Sequence, residues 1–474
     1  MTHVSRRNLL AGLGAASLGV LGEKCGASSL GGNALSLPTT SGGGTPPDAI
    51  TPAYGDAERQ QDEKRLLAYI GKMGPQLLRP AEGVLRHPSI SPSLAGDAYS
   101  TQLWDWDTLW TARALFELST LQGDSALKER VKRHAAGSLL NFLDHQSPDG
   151  RIPMMMETSN PDPFGCLKPL APDYRNQAKP VMCQLALLVA DRTGDVEWLN
   201  PVFDRLLLFL DSWKAGNESQ TGLLVWGDDV AIGDDNDPTT YGRPFFSSAN
   251  LLLNSLYYQD LSAAAELATR LKRTADAGRL RAAVQKQGEC IQKYCWDPRD
   301  RFYYTVDVQC VDHRNQLLAG FHQGMAMSWK CLPLRIQMFT GFLPMWCQLS
   351  TKEQAADLVK LHYLNQETFN AAYGVRSLSK QETMFSLVFS GNPSNWLGPV
   401  WIVANYFVWK GLRSYGYTKE AQILADKTVR LLANDLATQG SFNEYYDPDT
   451  GRPLSHKGFL DWNMLVLEMM SARP

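Results

Sequence analysis

The stretch SSANLLLNSLYYQDLSAAAELATRLKR, residues 247–273, is followed almost at once by ADAGRLRAAVQKQGECIQKYCW, residues 275–296. Both carry apolar residues at three- and four-residue spacing, the period that lets one face of a helix meet a core. Only a few residues separate them, so the two helices are expected to pack side by side. The same signature occurs at residues 57–73, 125–145, 195–215, 352–364, 401–417 and 419–435. Short turns such as LQGDSA (121–126), RTGDVE (192–197) and YGYTKEA (415–421) separate neighbours, and Ser350 to Glu353 fits a capping box. Sustained strand signals are few, and RFYYTVDV (301–308) is the clearest. About a dozen helices in pairs predict one all-α domain over residues 53–474, an (α/α)6 toroid with long loops and minor β-hairpins. A superhelical solenoid is the alternative, but it would require a clearer sequence repeat. In a toroid, longer loops gather at one end of the helix pairs, so the functional residues are expected there.

Composition narrows the partners. The chain has 474 residues, 44% hydrophobic and 20% charged, with a net charge of -3. That balance is ordinary for a globular protein and argues against nucleic acid or an anionic membrane as the main partner. The 13 Trp, 17 Tyr and 17 Phe suit core packing, and their flat faces also suit stacking on sugars. Residues 5–22, SRRNLLAGLGAASLGVLG, pair Arg6 and Arg7 with a short Gly/Ala-rich apolar run. Residues 1–25 are therefore expected to be a twin-arginine export signal, sending the protein to the periplasm or outside the cell. The sequence GEKC before Cys25 is a poor lipoprotein cleavage site, which argues against lipid anchoring there. Residues 26–52 are rich in Gly, Ser, Thr and Pro and read as a linker. No integral membrane segment is expected once the signal is removed. None of the eight Cys (Cys25, Cys166, Cys183, Cys290, Cys295, Cys310, Cys331, Cys347) forms a C-x-x-C pair, so a zinc ribbon is not expected. Buried thiols are expected in preference to a disulfide framework.

Several segments concentrate Trp, Asp, Asn and Gly. They are QLWDWDTLW (102–110), DYRNQAKPV (173–181), VWGDDVAIGDDNDPTTYGRP (225–244), GNPSNWLGPVW (391–401) and SFNEYYDPDTGRPLSHKGFLDWN (441–463). Each alone reads as a cap or a turn. Together, in one helical domain, they suggest a shared pocket. Glycoside hydrolysis needs such an inventory: two carboxyl groups flanking the bond, one of them held protonated by apolar or like-charged surroundings. Asp235 lies between Asp234 and Asp237, with Asp228 and Asp229 close in sequence. Repulsion among them is expected to raise one of their pKa values. A solvated acidic loop weighs about evenly against catalysis for this cluster taken alone. A calcium loop starting at Asp235 fails, because Thr240 stands where an EF-hand requires Gly. No metal or cofactor is expected.

These segments resemble glycoside hydrolase family 63, which includes processing α-glucosidases and bacterial mannosylglycerate and glucosylglycerate hydrolases. GDDNDP (233–238) is similar to the family's G-x-D-N-x-P, and NEYYDPDTG (443–451) to its E-x-Y-x-P-x-T-G. NWLGPVW (395–401) is similar to N-W-x-G-P-x-W, WDWDT (104–108) to W-x-W-D-S, and NQAKP (176–180) aligns Gln177 with a sugar-binding Gln. KGFLDWN (457–463) departs from K-G-F-x-W-S at its ending. The resemblance runs in family order over roughly residues 100–463. It implies an (α/α)6 barrel, Asp235 as general acid, Glu444 as general base and Asp107 in contact with substrate. Tyr241, Arg243, Trp396 and Trp401 join Asp107 and Gln177 as candidates for lining the sugar site.

The expected function is thus an exported inverting hydrolase of an α-linked glucoside or mannoside, its partner a small glycoside or an oligosaccharide. Epimerases and lyases on the same toroid use His or Tyr as proton carriers. Of the eight His (His3, His87, His134, His145, His313, His322, His362, His456), only His456 falls in an aromatic loop, where it reads as a polar loop residue. A non-catalytic sugar-binding protein would predict loss of a carboxylate, whereas Asp235 and Glu444 are both present.

Overall fold

A computed structural model describes residues 54–167, 176–309, 330–388 and 394–472. The assignments of residues 1–25 and 26–52, with Cys25, Cys310, His3, His313 and His322, lie outside the described residues. Among those described, no helix is long and apolar enough to cross a membrane.

The first seven helices are α1 (Asp56–Met73), α2 (Asp105–Gln122), α3 (Ser125–Asp144), α4 (Met182–Thr193), α5 (Phe203–Asn217), α6 (Leu251–Arg270) and α7 (Thr274–Cys295). The others among the described residues are α8 (Leu343–Trp346), α9 (Lys352–Asp357), α10 (Ile402–Ser414), α11 (Thr418–Gln439) and α12 (Val466–Ser471). Local chemistry sets their ends. The Asn250 side chain accepts from the backbone N–H of Leu252 and Leu253 to start α6, and Asp124 accepts from Leu127 N to start α3. Between α2 and α3, Gly123 takes φ 62°, the left-handed conformation that ends a helix at low cost for glycine. The capping box sits one residue later than its sequence signature suggested. Thr351 and Gln354, not Ser350 and Glu353, bond each other's backbone.

Burial sorts the helices into two rings. Along α2 and α6 most residues are buried all round, as in a helix enclosed on every side. Along α7 burial is confined to a stripe through Ala277, Leu280, Gln287, Ile291 and Cys295, as in a helix with one wet face. The inner helices pack in sequence, α2 on α4, α4 on α6, α6 on α8, α8 on α10, α10 on α12, and α12 back on α2. Outside them, α1 packs on α11, so the first and last outer helices also meet. This is the (α/α)6 toroid. Its middle is closed by aromatics: Trp110 of α2 meets Trp346 of α8 and Tyr406 and Phe407 of α10 edge-on, at centroid distances of 5.2–6.4 Å. The stretch RFYYTVDV divides into two short strands: Phe302–Tyr303 pairs with Trp296–Asp297, and Val306–Asp307 with Ser248–Ala249 and Leu332–Pro333. Cys166, Cys183, Cys295 and Cys347 are buried thiols, and burial pushes each one's pKa up.

Candidate active site

The motif segments share one position in the fold. WDWDT opens α2, NQAKP precedes α4, GDDNDP precedes α6, NWLGPVW leads into α10, and the 443–463 segment leads into α12. Each lies at the N-terminal end of an inner helix, so the ring gathers them at one mouth. Unsatisfied backbone N–H groups and the helix dipole make such an end favourable for carboxylates.

The floor begins with a buried ion pair. Asp105 Oδ1 accepts from Trp106 N at 2.7 Å, its Oδ2 accepts from Lys179 N at 2.6 Å, and Lys179 Nζ bonds the same carboxylate at 3.1 and 3.3 Å. Full hydrogen bonding to both partners is what makes a buried pair tolerable. The ammonium also lies 5.4 Å from the centre of the Trp106 ring. Gly233 rests on this pair. At φ 106°, a Cβ there would meet Lys179 Cε at 3.1 Å and the Trp106 ring at 3.2 Å. The GDDNDP loop is thereby pressed onto the start of α2.

Across residues 228–237 the five carboxyls divide their work. Asn176 Nδ2 donates to Asp228 Oδ1 at 2.7 Å, and Gly242 N donates to Asp229 Oδ2 at 2.7 Å. Asp237 accepts from Thr239 N, Thr239 Oγ1 and Asn250 Nδ2 at 2.7–2.9 Å. Asp234 is fully buried, and burial together with the Asp237 charge pushes its pKa well up. Burial raises Asp237 as well, although its hydrogen bonds oppose this. The repulsion expected from the sequence acts on these two bracing groups. Asp235 itself is half-buried, with Gly233 N donating to its Oδ1 at 3.3 Å.

Glu444 arrives on a hairpin, with Tyr445–Tyr446 paired to Pro453–Ser455. The turn is built by Asp447, whose Oδ1 accepts from Asp449 N and Thr450 N at 3.0 and 3.1 Å. Glu444 is buried, and its Oε2 contacts His456 Nδ1. Asp461 stands at the start of the helical turn Asp461–Leu465 and faces both Glu444 and Asp107. Its Oδ1 accepts from Thr111 Oγ1 at 2.7 Å. Burial and the charge of Asp107 push the pKa of Asp461 well up, and a hydrogen bond links the two carboxyls. Burial raises Asp107 to about 7, against the opposing pull of that hydrogen bond and of Lys179.

Two hydrogen bonds and a ring stack tie the Asp235 loop to the Glu444 hairpin. Asn236 Nδ2 donates to Asn395 Oδ1 at 3.1 Å, and Trp396 N donates to Asn236 Oδ1 at 2.6 Å. Val400, further along that segment, pairs with Tyr446 through backbone bonds of 2.8 and 3.0 Å. Phe339, Trp396, Trp401 and Tyr445 form one stack, with centroid spacings of 5.4, 3.9 and 4.6 Å.

That stack corrects an expectation. Trp396 and Trp401 are fully buried, and both ring faces of each are covered by neighbours, so neither offers a platform to a sugar. They register the two carboxylate loops. Gln177 is buried beside α5, exchanging hydrogen bonds with Ser212 Oγ at 3.1 and 3.2 Å. Tyr241 is 51% exposed, and Arg243 is ion-paired with Asp307. His456, read from the sequence as a polar loop residue, is instead a partner of Glu444. Lys179 and Asp461 were not singled out from the sequence, though both lie inside quoted segments. Among the described residues, no group of three His, Cys, Asp or Glu is arranged to hold a metal ion.

Residues 102–460 match the mannosylglycerate hydrolase MGH1-like glycoside hydrolase domain, and the chain belongs to that family. The mannosylglycerate hydrolase of Rubrobacter radiotolerans is 28% identical over 210 residues, covering 44% of this chain and 40% of that protein. Mannosylglycerate hydrolase MGH1 of Selaginella moellendorffii is 32% identical over 111 residues, 23% of this chain and 20% of its own length. The chain thus matches less than half the length of either relative. The GH63 mannosylglycerate hydrolase of Thermus thermophilus, solved with Tris and D-glycerate, shares the fold. Its TM-score is 0.63 at 20% identity, over 86% of this chain and 100% of that one.

Proposed function

We propose that this chain is an inverting glycoside hydrolase acting on a compact α-linked glucoside or mannoside, with mannosylglycerate and glucosylglycerate as first candidates. The relatives' names support the substrate class. The observation that carries the reaction is the coupling of Asp235 to Glu444 through Asn236, the Asn395–Trp401 segment and Tyr445. In the proposed step, the oxygen of a water molecule forms a bond to the anomeric carbon while Glu444 takes one of its protons. The bond to the leaving oxygen breaks, and Asp235 gives that oxygen its proton. Inversion needs space for the water, so the carboxyls are expected to work at a separation of roughly 6.5–9.5 Å.

The remaining groups are then assigned to the sugar. Asp107, hydrogen-bonded to a protonated Asp461, accepts from a sugar hydroxyl. The Trp462 indole N–H, which has no partner among the described residues, is a donor in the same floor. Export through a twin-arginine signal belongs to the same proposal. A reporter fused to residues 1–52 and secreted only when Arg6 and Arg7 are intact would support it.

The test is turnover of purified full chain on mannosylglycerate, glucosylglycerate, trehalose, kojibiose, nigerose and maltose, beside Asp235→Asn and Glu444→Gln. Cleavage of one substrate, reduced at least about 100-fold in each variant, is expected. Full activity in either variant would remove that residue from its role.

A further inference from the structure

Antiparallel register makes His456 the cross-strand neighbour of Glu444. Tyr445 pairs with Ser455, and Glu444 N donates to Ser455 O at 3.0 Å, which sets positions 444 and 456 opposite each other. His456 Nδ1 contacts Glu444 Oε2, and Ser455 Oγ lies 2.9 Å from the same nitrogen. The imidazole is held from several sides. Tyr99 packs edge-on against it at 5.5 Å. Two residues on, Gly458 N donates to Phe442 O at 2.9 Å, and its α-carbon lies against Asp97, where a Cβ would collide with Oδ2. Clamped this way, His456 takes φ 37°, a left-handed conformation uncommon for a residue with a side chain. Backbone strain of this kind persists where surrounding contacts over-determine it, and it clusters at functional sites.

A general base has two oxygens, and only one takes the proton of the attacking water. We infer that His456 is the positioning residue of the base: its Nδ1–H donates to Glu444 Oε2, fixing the carboxylate's rotation and leaving Oε1 for the water. Neither the family resemblance nor the motif positions assign this role. It rests on the reading of Glu444 as the base. The imidazole does not touch the reacting atoms. Its effect is on where the carboxylate points, and small misplacements of a catalytic group are costly in rate.

The experiment uses the full chain in two readouts. The first needs no substrate. Long-range 1H–15N NMR of the imidazole is expected to find a proton on Nδ1 of His456 in the native protein, and on Nε2 alone in Glu444→Ala, because the hydrogen bond to Glu444 holds the proton on Nδ1. The second is steady-state kinetics on the cleaved substrate. His456→Ala is expected to lower kcat on the order of 10- to 100-fold with little change in KM. His456→Asn should restore most of it, since its Nδ2 occupies the place of Nδ1 and Asn tolerates the left-handed backbone. Added imidazole should restore part of the His456→Ala loss. An Nε2–H tautomer in the native protein would overturn the inference. So would full kcat in His456→Ala while Glu444→Gln is inactive. Full turnover in Glu444→Gln would instead remove the base assignment, and this role with it.

Discussion

Asp107 and Asp461 are two buried carboxyls that face each other. Burial raises Asp107 from 3.8 to about 7 and pushes Asp461 well above its usual value. A carboxyl whose pKa is higher folded than unfolded binds its proton more tightly in the native state. Its contribution favours the native state at low pH and declines as pH rises from the unfolded value toward the folded one. The pair therefore makes the fold lose stability between about pH 4 and 7. Asp461→Asn keeps a donor to Asp107 and an acceptor for Thr111 but fixes the protonation. Melting temperature measured across that range is expected to fall less in Asp461→Asn than in the native chain; parallel profiles would show that the pair does not share a proton. Little of this was legible in the sequence, where Asp461 registers only as a departure from a family ending. Its bonding partner Thr111 is 350 residues away, and the Asp105–Lys179 pair spans 74 residues. Local spacing carries no information about such contacts. The carboxylates and the roles proposed for them came from motifs, whereas what holds each of them came only from the packed ring.

At the scale of elements, the GDDNDP loop is held as a wedge. Gly233 lies over Lys179 and Trp106 in a backbone conformation that a Cβ would strain, with contacts near 3.1 Å to a buried ion pair that has little room to shift. Gly233→Ala is expected to destabilise the fold by about 1–3 kcal/mol in urea denaturation and to lower turnover further, by displacing Asp235. Lys179→Met removes one member of the buried pair and leaves Asp105 uncompensated. A loss of about 3–5 kcal/mol is expected, and a change within error would mean the pair is not closed from water. Helix boundaries were legible where periodicity was strong, as in α6 and α7. The cap of α9 was misplaced by one residue because STKEQ satisfies two overlapping signatures. Ser350 is buried, and its carbonyl accepts from Tyr415 Oη at 2.6 Å, so Thr351 is the residue left to cap the helix. Thr351→Ala should therefore cost about 1 kcal/mol, while Ser350→Ala should not act through the cap. The stacking of Trp396 and Trp401 was misjudged for a similar reason. Aromatic residues in a loop suit sugars and cores equally, and only their covered faces decide.

For the whole molecule, the toroid explains why five segments scattered over residues 102–463 belong together. Each precedes an inner helix, the inner helices close a ring from α2 round to α12, and the ring turns distance in sequence into one shared mouth. The paired helical signatures, the short turns and the absence of a strict repeat made that architecture readable from the chain. The identity of the sugar was not readable, because it depends on which hydroxyls the floor groups meet. Asp235 and Glu444 are proposed to act as acid and base across a water molecule, and inversion is the signature of that pairing. Proton NMR of the anomeric region during the first minutes of cleavage of an α-linked substrate tests it directly. The β-anomer is expected to appear first and equilibrate slowly to the mixture, with no sugar released by Asp235→Asn or Glu444→Gln. Initial release of the α-anomer would contradict it.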